Sequence, residues 1–285
     1  MIFQQGQNQG DNPVIDGAEC YDFANKVVVV TGGTGVLLSP TVEKLVALNS
    51  QVVLLSRTQD EAQMHTLSKL GKPPLFIPVD VTEKSQLLAA REKILQHFGQ
   101  INILVNGAGG NQPDATTNGG RTFFELSESA VRSVFDVNFL GTLLACQIFG
   151  EWMANQRSGI ILNISSLTAS KPLTRVVSYA AAKAAVENFT RWLAVHMAGE
   201  YSTNIRVNAI APGFLLTKQN QYLLQDGSGD LTARGEQIIH STPMKRFGKP
   251  EEMIGTILWL ISDASQFITG IVVPVDGGFS AFGGV

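Results

Sequence analysis

Tyr179 and Lys183 stand four residues apart. On a helix that spacing puts both side chains on one face, one turn apart. A phenol is a poor base at neutral pH, because its unperturbed pKa is about 10. A nearby ammonium favours the phenolate and lowers that pKa. The pair can therefore transfer protons. Ser166, thirteen residues before the tyrosine, lies at the end of the apolar strand Ile160–Ile164. Its hydroxyl can hydrogen-bond a substrate oxygen that gains or loses the proton. A Tyr-x-x-x-Lys pair by itself is more often a solvated surface pair. Here the serine closes a buried-looking strand, and the helix after the tyrosine is small and apolar on several faces (Ala180, Ala181, Ala182, Ala184, Ala185, Val186).

These groups need a frame to hold them. The chain has 285 residues, 44% of them hydrophobic and 16% charged, an ordinary globular composition. A net charge of −3 gives no basic footprint for nucleic acid. Cys20 and Cys146 are far apart, and His65, His97, His196 and His240 are scattered, so no metal site is expected. Two lone cysteines fit a reducing, cytoplasmic compartment. No apolar run reaches the length of a membrane span, and no signal pattern opens the chain. Residues 1–20 read as a flexible extension, with five Gln/Asn among the first nine.

From Lys26 onward, strand and helix patterns alternate. Val27–Val30, Gln51–Leu55, Leu75–Val79, Ile101–Asn106, Gly159–Ser165, Ile205–Ala211 and Ile271–Val275 read as strands. Val27–Val30 is a continuous β-branched run, as a strand buried on both faces requires. Helical patterns fall between them, through Leu45 and Leu48, then at Asp60–Leu70, Lys84–Phe98, Ser127–Asn155, Tyr179–Glu200 and Glu251–Ile261. The alternation predicts one doubly wound Rossmann-type α/β domain over residues 21–285, with a seven-stranded parallel sheet and helices on both faces.

Thr31-Gly-Gly-Thr-Gly-Val-Leu-Leu38 follows the first strand. Glycines there let a backbone approach a pyrophosphate, and the next helix N-terminus favours the anion. The glycine turn together with Asn138, Ser166, Tyr179 and Lys183 resembles the short-chain dehydrogenase/reductase family. The likeness runs from Lys26 to the C-terminus. The turn departs from the family pattern: it is one residue short, and leucine stands where the last glycine is expected, so the helix must start differently. Gly32, Thr34, Gly35 and Val36 would cradle the dinucleotide. The resemblance further implies that Asp80 and Val81 contact the adenine. Asn106, Ala108 and Gly109 would line the cofactor cleft, while Asn106 also steadies the sheet. Pro212, Gly213 and Thr217 would lie beside the nicotinamide. Tyr179 would be the general acid/base, and Lys183 would lower its pKa and hold the nicotinamide ribose. Ser166 would bind the reacting oxygen, and Asn138 would hold a proton-relay water. A non-catalytic dinucleotide sensor is the alternative class, but it has no need of all four residues.

Cofactor choice is read at the end of the second strand. Selective NAD binding wants a carboxylate there. Ser56 and Arg57 stand instead, which favours NADP(H), with NAD(H) possible. Within the family, several stretches look like the D-mannonate oxidoreductase (fructuronate reductase) branch. They are the shortened turn, Asn106–Thr117, Phe214–Leu224 and the tail from Pro274. That branch implies a sugar-acid substrate, closed over by a lid around residues 213–248. Arg175, Lys171 and Lys218 are the nearby cations by sequence, and Asn111, Gln112, Asn220 and Gln221 the nearby amides. Another ketone, such as a 3-oxoacyl thioester or a neutral sugar, is the alternative substrate. The family also implies a homotetramer, or a homodimer, built through the helices flanking the site. Trp192, Leu193, Val195 and Met197 fit an interface and equally fit a core face.

Overall fold

The computed structural model describes residues 19–118, 120–217 and 220–284. Nearly all of the N-terminal extension lies outside the described residues, as do Lys218 and Gln219 of the expected lid. The elements run β1 Val27–Thr31, α1 Ser39–Ala47, β2 Gln51–Ser56, α2 Glu61–Leu70, β3 Leu75–Pro78, α3 Lys84–Phe98 and β4 Ile103–Asn106. Then come α4 Glu128–Phe135, α5 Gly141–Gln156, β5 Gly159–Ile164, α6 Val177–His196, β6 Ile205–Pro212, α7 Gln221–Leu224, α8 Ala233–Ser241, α9 Ile254–Ile261 and β7 Val272–Val275. The strands form one seven-stranded parallel sheet in the order β3-β2-β1-β4-β5-β6-β7.

The strand pleat explains the two layers. Val27, Val29, Val53, Leu55, Leu104, Ile161 and Val207 point to one face and pack under α3, α5 and α6. Val28, Val30, Leu54, Ile103, Val105, Leu162 and Ile210 point to the other and pack under α1, α2 and α9. Each such side chain contributes roughly 1.5–3 kcal/mol on burial. The interface candidates on α6 divide accordingly. Leu193 and Met197 belong to the core, while Trp192 and Val195 are 57% and 75% exposed.

The start of α1 shows how the departed glycine is accommodated. The helix begins at Ser39 with Pro40 in its first turn, where a missing N–H costs nothing. Leu38 is fully buried. It occupies the space beside Gly107, where an added Cβ would run into Leu38 Cδ1. The space for a bulky residue on this turn is thus supplied by a glycine after β4.

The long helical region expected over Ser127–Asn155 is broken by one π-helical turn, Asp136–Leu140. Its stretch Glu128–Gln156 is long and apolar enough for a membrane span, with mean hydropathy 1.3. Half of that most apolar window is nevertheless buried within the fold.

Residues 213–248 hold two helices that the sequence patterns did not register, α7 and α8. They pack around a small core of Leu224, Ile238 and Phe247. Leu216 N donates to Gly248 O at 2.8 Å and Gly248 N to Phe214 O at 3.0 Å, tying the two ends of the segment together.

Candidate active site

A parallel sheet opens a crevice at its C-terminal edge where the strand order reverses. Here that point lies between β1 and β4. A cleft of about 540 Å³ occupies it, reaching from β2 and β3 across to α6.

The glycine turn forms its floor. Gly32 has φ +66°, and a Cβ on it would lie 2.8 Å from the Ala108 backbone. Thr31 Oγ1 accepts from Gly107 N at 3.1 Å and Ala108 N at 3.2 Å, locking the β1 and β4 loops together. Thr34, Gly35, Val36, Ala108 and Gly109 line the cleft with Gly32.

Ser56, Arg57, Asp80 and Val81 line the far end. Ser56 is buried, and its Oγ has no partner among the described residues. Arg57 is exposed. The Asp80 carboxyl is held below its ordinary range, first by the Thr82 hydroxyl and amide and, after burial's opposing pull, by the Arg57 charge. The glycine cradle, the orphan Ser56 hydroxyl and the free guanidinium fit a dinucleotide laid along the cleft.

At the near end stand Tyr179 and Lys183. Ser166 lies two residues past β5 in an extended conformation, and its Oγ accepts from Thr168 N at 3.3 Å. It lies near enough to the Tyr179 phenol to act on its ionisation. Lys183 is buried, 5.6 Å from the Tyr179 ring centroid, and its Nζ donates to Ile164 O at 2.8 Å. Burial pushes its ammonium down to about 8. The phenol departs from expectation. Tyr179 is only part-buried as a residue, yet burial acts on its phenol more strongly than the neighbouring Ser166 hydroxyl, which works the other way, and raises its pKa. Desolvation penalises the phenolate and the ammonium alike, so both groups are driven toward neutrality.

Asn138 is fully buried on the π turn. Its Nδ2 donates to Gly110 O at 2.6 Å and Val134 O at 2.8 Å, and its Oδ1 accepts from Gly110 N at 3.2 Å. A Cβ on Gly109 would lie 2.6 Å from Asn138 Oδ1 and 3.3 Å from Lys183 Nζ. Only a glycine fits between these two side chains.

Two groups of expected residues are placed elsewhere. The Asn106 side chain does not face the cleft; it is buried, with Nδ2 donating to Asn163 Oδ1 at 2.9 Å. Asn163 Nδ2 in turn donates to Thr190 Oγ1 at 2.9 Å, so this amide chain fastens β4, β5 and α6 together. Pro212 ends β6, Gly213 and Thr217 follow it, and none of the three lines the 540 Å³ cleft. Gly213 packs against Asp276, where a Cβ would come within 2.5 Å, and Thr217 N donates to Asn220 Oδ1 at 2.8 Å.

Sequence reasoning missed Gln63, whose Nε2 donates to Gly33 O and to Ser39 Oγ, each at 3.0 Å, bracing the glycine turn from α2. Nothing local marks that residue, since Gly33 lies 30 positions away. No cluster of side chains able to hold a metal ion is present among the described residues.

The family model described as enoyl-(acyl carrier protein) reductase matches residues 40–280. The chain is 46% identical over 275 residues to UxuB of Bacillus subtilis (strain 168), an uncharacterized oxidoreductase, covering 93% of this chain and 98% of that one. It is 32% identical over 265 residues to the 5-keto-D-gluconate 5-reductase of Escherichia coli (strain K12), covering 91% and 97%. Among solved structures, a candidate D-mannonate oxidoreductase from Haemophilus influenza with bound NAD shares 40% identity and a TM-score of 0.87, over 93% of this chain and 98% of that one.

Proposed function

The chain belongs to the short-chain dehydrogenase/reductase family, and from that premise we propose that it reduces the keto group of a sugar acid, D-fructuronate to D-mannonate, with NADP(H). At the level of the family it is an oxidoreductase that binds a nicotinamide cofactor and acts on an alcohol/ketone pair. The observation that carries the catalytic reading is the placing of Tyr179 and Lys183 together in the cleft, with Lys183 buried and its Nζ 5.6 Å from the Tyr179 ring.

In this reading, the Tyr179 hydroxyl gives its proton to the carbonyl oxygen as the ketone becomes an alcohol, and takes it back in oxidation. The Ser166 hydroxyl donates a hydrogen bond to the same oxygen and holds it against the phenol. Lys183, fixed by Ile164 O, supplies positive charge near the phenol and a donor for the nicotinamide ribose. Asn138 holds the Gly110 backbone and anchors the relay water. A bound nicotinamide supplies or accepts the hydride. Gly32, Thr34, Gly35, Val36, Ala108, Gly109, Asp80 and Val81 would hold the dinucleotide, with Pro212, Gly213 and Thr217 toward its nicotinamide end.

Ser56 and Arg57 support NADP(H). No carboxylate stands there to repel a 2′-phosphate, and Arg57 offers several donors in a plane. The bound NAD of the Haemophilus neighbour leaves NAD(H) as the alternative.

The sugar-acid substrate is supported by the likeness to that candidate D-mannonate oxidoreductase and to the 5-keto-D-gluconate 5-reductase. The segment 213–248 would act as the lid, and its polar stretch Asp226–Asp230 suits a hydroxylated substrate. A panel at fixed NADPH tests the reading, using D-fructuronate, other keto sugar acids, neutral ketoses and an acetoacetyl thioester. Turnover of keto sugar acids is expected. Clear turnover of the thioester or a neutral ketose, with none on any keto sugar acid, overturns it.

A homotetramer, or a homodimer, belongs to the same proposal. Exposed Trp192 and Val195, beside a groove of about 970 Å³ between α5 and α6, support that assembly. A monomer on calibrated size exclusion would contradict it. A cytoplasmic location completes the proposal, consistent with two free cysteines.

A further inference from the structure

Glu187 is a buried carboxylate that the mechanism above does not use. Its side chain is 8% exposed, and glutamate is rarely buried to that degree unless it is paired. Among the described residues it has two partners. Arg191 Nη2 lies 3.3 Å from Oε2, but that guanidinium is half exposed, and an ion pair open to water holds weakly. The other partner lies inside the fold. Ser165 Oγ donates to Glu187 Oε1 at 3.0 Å, and Ser165 is itself buried. A hydrogen bond to a carboxylate is roughly twice as strong as a neutral one, and exclusion of water keeps it made.

The bond belongs to a series. Tyr179, Lys183, Glu187 and Thr190 follow one another at helical spacings, so they form one stripe along α6. The last three of them reach the end of β5. Thr190 Oγ1 accepts from Asn163 Nδ2 at 2.9 Å, Lys183 Nζ donates to Ile164 O at 2.8 Å, and Glu187 accepts from Ser165. Asn163, Ile164 and Ser165 are consecutive, and the next residue is Ser166. Among the described residues Glu187 forms no ion pair with Lys183, whose Nζ is turned to Ile164 O. The carboxylate is therefore spent on the strand end and not on the catalytic ammonium.

Ser166 needs such a hold. It lies past β5, and its own bonds go to the short turn that follows: Oγ accepts from Thr168 N at 3.3 Å and O from Ala169 N at 3.0 Å. Just before it, Ser165 N donates to Ile210 O of β6 at 2.7 Å. The backbone of Ser165 is thus tied to the sheet and its side chain to α6, which fixes the peptide leading into Ser166 from two sides. An apolar residue at position 187 would fill the space without the cost of desolvating a charge. What it would not supply is an acceptor for the Ser165 hydroxyl.

We propose that Glu187 and Ser165 are positioning residues: the buried carboxylate holds the Ser165 hydroxyl, and through it sets where Ser166 presents its own hydroxyl to the reacting oxygen. The assignment rests on the catalytic reading of Ser166 and Tyr179 above, and not on which ketone is reduced. Neither Ser165 nor Glu187 lines the cofactor cleft, so their loss should be felt in turnover and not in binding.

The test measures kcat and KM for wild type, Ser165→Ala, Glu187→Leu, Glu187→Gln, Arg191→Gln and the Ser165→Ala/Glu187→Leu double variant. It uses the full-length enzyme and whichever ketone of the panel the wild type reduces. In Ser165→Ala and in Glu187→Leu, kcat should fall about 10- to 100-fold, the scale of a reacting group misplaced by up to ~1 Å, while KM for substrate and cofactor holds. The double variant should be no worse than the poorer single one, because both changes cut the same link. Glu187→Gln keeps an acceptor for Ser165 and should recover most of the loss. Arg191→Gln removes only the exposed partner and should keep the wild-type kcat. Wild-type kcat in Ser165→Ala overturns the inference. So do a loss carried by KM, losses that multiply in the double variant, a Glu187→Gln no better than Glu187→Leu, or an equal loss in Arg191→Gln. If Glu187→Leu does not fold, the smaller change Ser165→Ala decides alone by the same split between kcat and KM. If the wild type reduces no ketone of the panel, the proposed function fails, and crystal structures of wild type and Ser165→Ala decide the positioning. A displaced Ser166 hydroxyl then supports it, and one left in place overturns it.

Discussion

Lys183→Met should make the protein more stable at neutral pH while removing its activity. Lys183 is almost fully buried, and burial alone depresses its pKa from 10.5 to about 8. At about 1.4 kcal/mol per pH unit, that depression means roughly 3 kcal/mol of stability lost at neutral pH. The sign follows from proton counting. Between about pH 8 and pH 10.5 the unfolded lysine holds its proton while the folded one has released it, so stability rises with pH across that window. Below it, the full cost of burying the charge is present. Methionine fills a similar volume without charge, but Ile164 O loses its donor, which costs about 1 kcal/mol. The variant should therefore gain about 2 kcal/mol at pH 7. By about pH 9.5 the lysine cost has shrunk to roughly 1.4 kcal/mol, and the gain should be close to zero. Urea unfolding of both proteins at the two pH values measures the difference, with equal m-values as the check on two-state behaviour. A variant less stable than wild type at pH 7, or a gap unchanged between the two pH values, would refute the reasoning.

Tyr179→Phe should cut turnover by at least about 100-fold while cofactor binding, followed by fluorescence, persists. In the wild type, oxidation needs the phenolate, and burial raises the phenol's pKa. Oxidation should accordingly climb steadily with pH above neutrality while reduction stays level; the reverse trend would contradict the assignment. Arg57→Ala should narrow the NADPH-over-NADH preference about 10-fold or more, the scale of a charge-assisted phosphate contact. A wild-type kcat/KM that is higher for NADH would remove its basis. Gly107→Ala should destabilise the fold by about 2 kcal/mol, because its Cβ meets Leu38 Cδ1. Adding Leu38→Ala should recover part of that loss, and strictly additive effects in the double-mutant cycle would show that the two positions do not share the space.

Much of the fold and of the site was legible from local signals. The β-branched runs and the helical patterns between them dictated seven strands and their parallel alternation. A pleat exposes successive residues to opposite faces, and a fully buried strand must be apolar on both. The four-residue spacing of Tyr179 and Lys183, and the position of Ser166 at a strand end, put those groups within reach of one another, because spacing along a helix translates directly into neighbourhood. The glycine turn announced an anion cradle through the one residue type able to adopt φ +66° at Gly32 without strain.

Other features depended on chain segments that meet only in the folded state. Asn106 looked like a cleft residue, but Asn163 and Cys146 draw its amide into the core. The leucines in the glycine turn implied a different helix start, but not where Leu38 would fit; Gly107, nearly 70 residues later, supplies its room. Helices α7 and α8 have too few apolar positions to show a periodic stripe, and their small core forms only through Phe214 and Phe247 at the two ends of the segment. The ionisation of Tyr179 and Lys183 divides along the same line. Their adjacency is a property of spacing, which the sequence carries. Their pKa values are set by desolvation, which depends on how the whole chain closes around them, and so only the tertiary structure decided that burial disfavours the charged form of each.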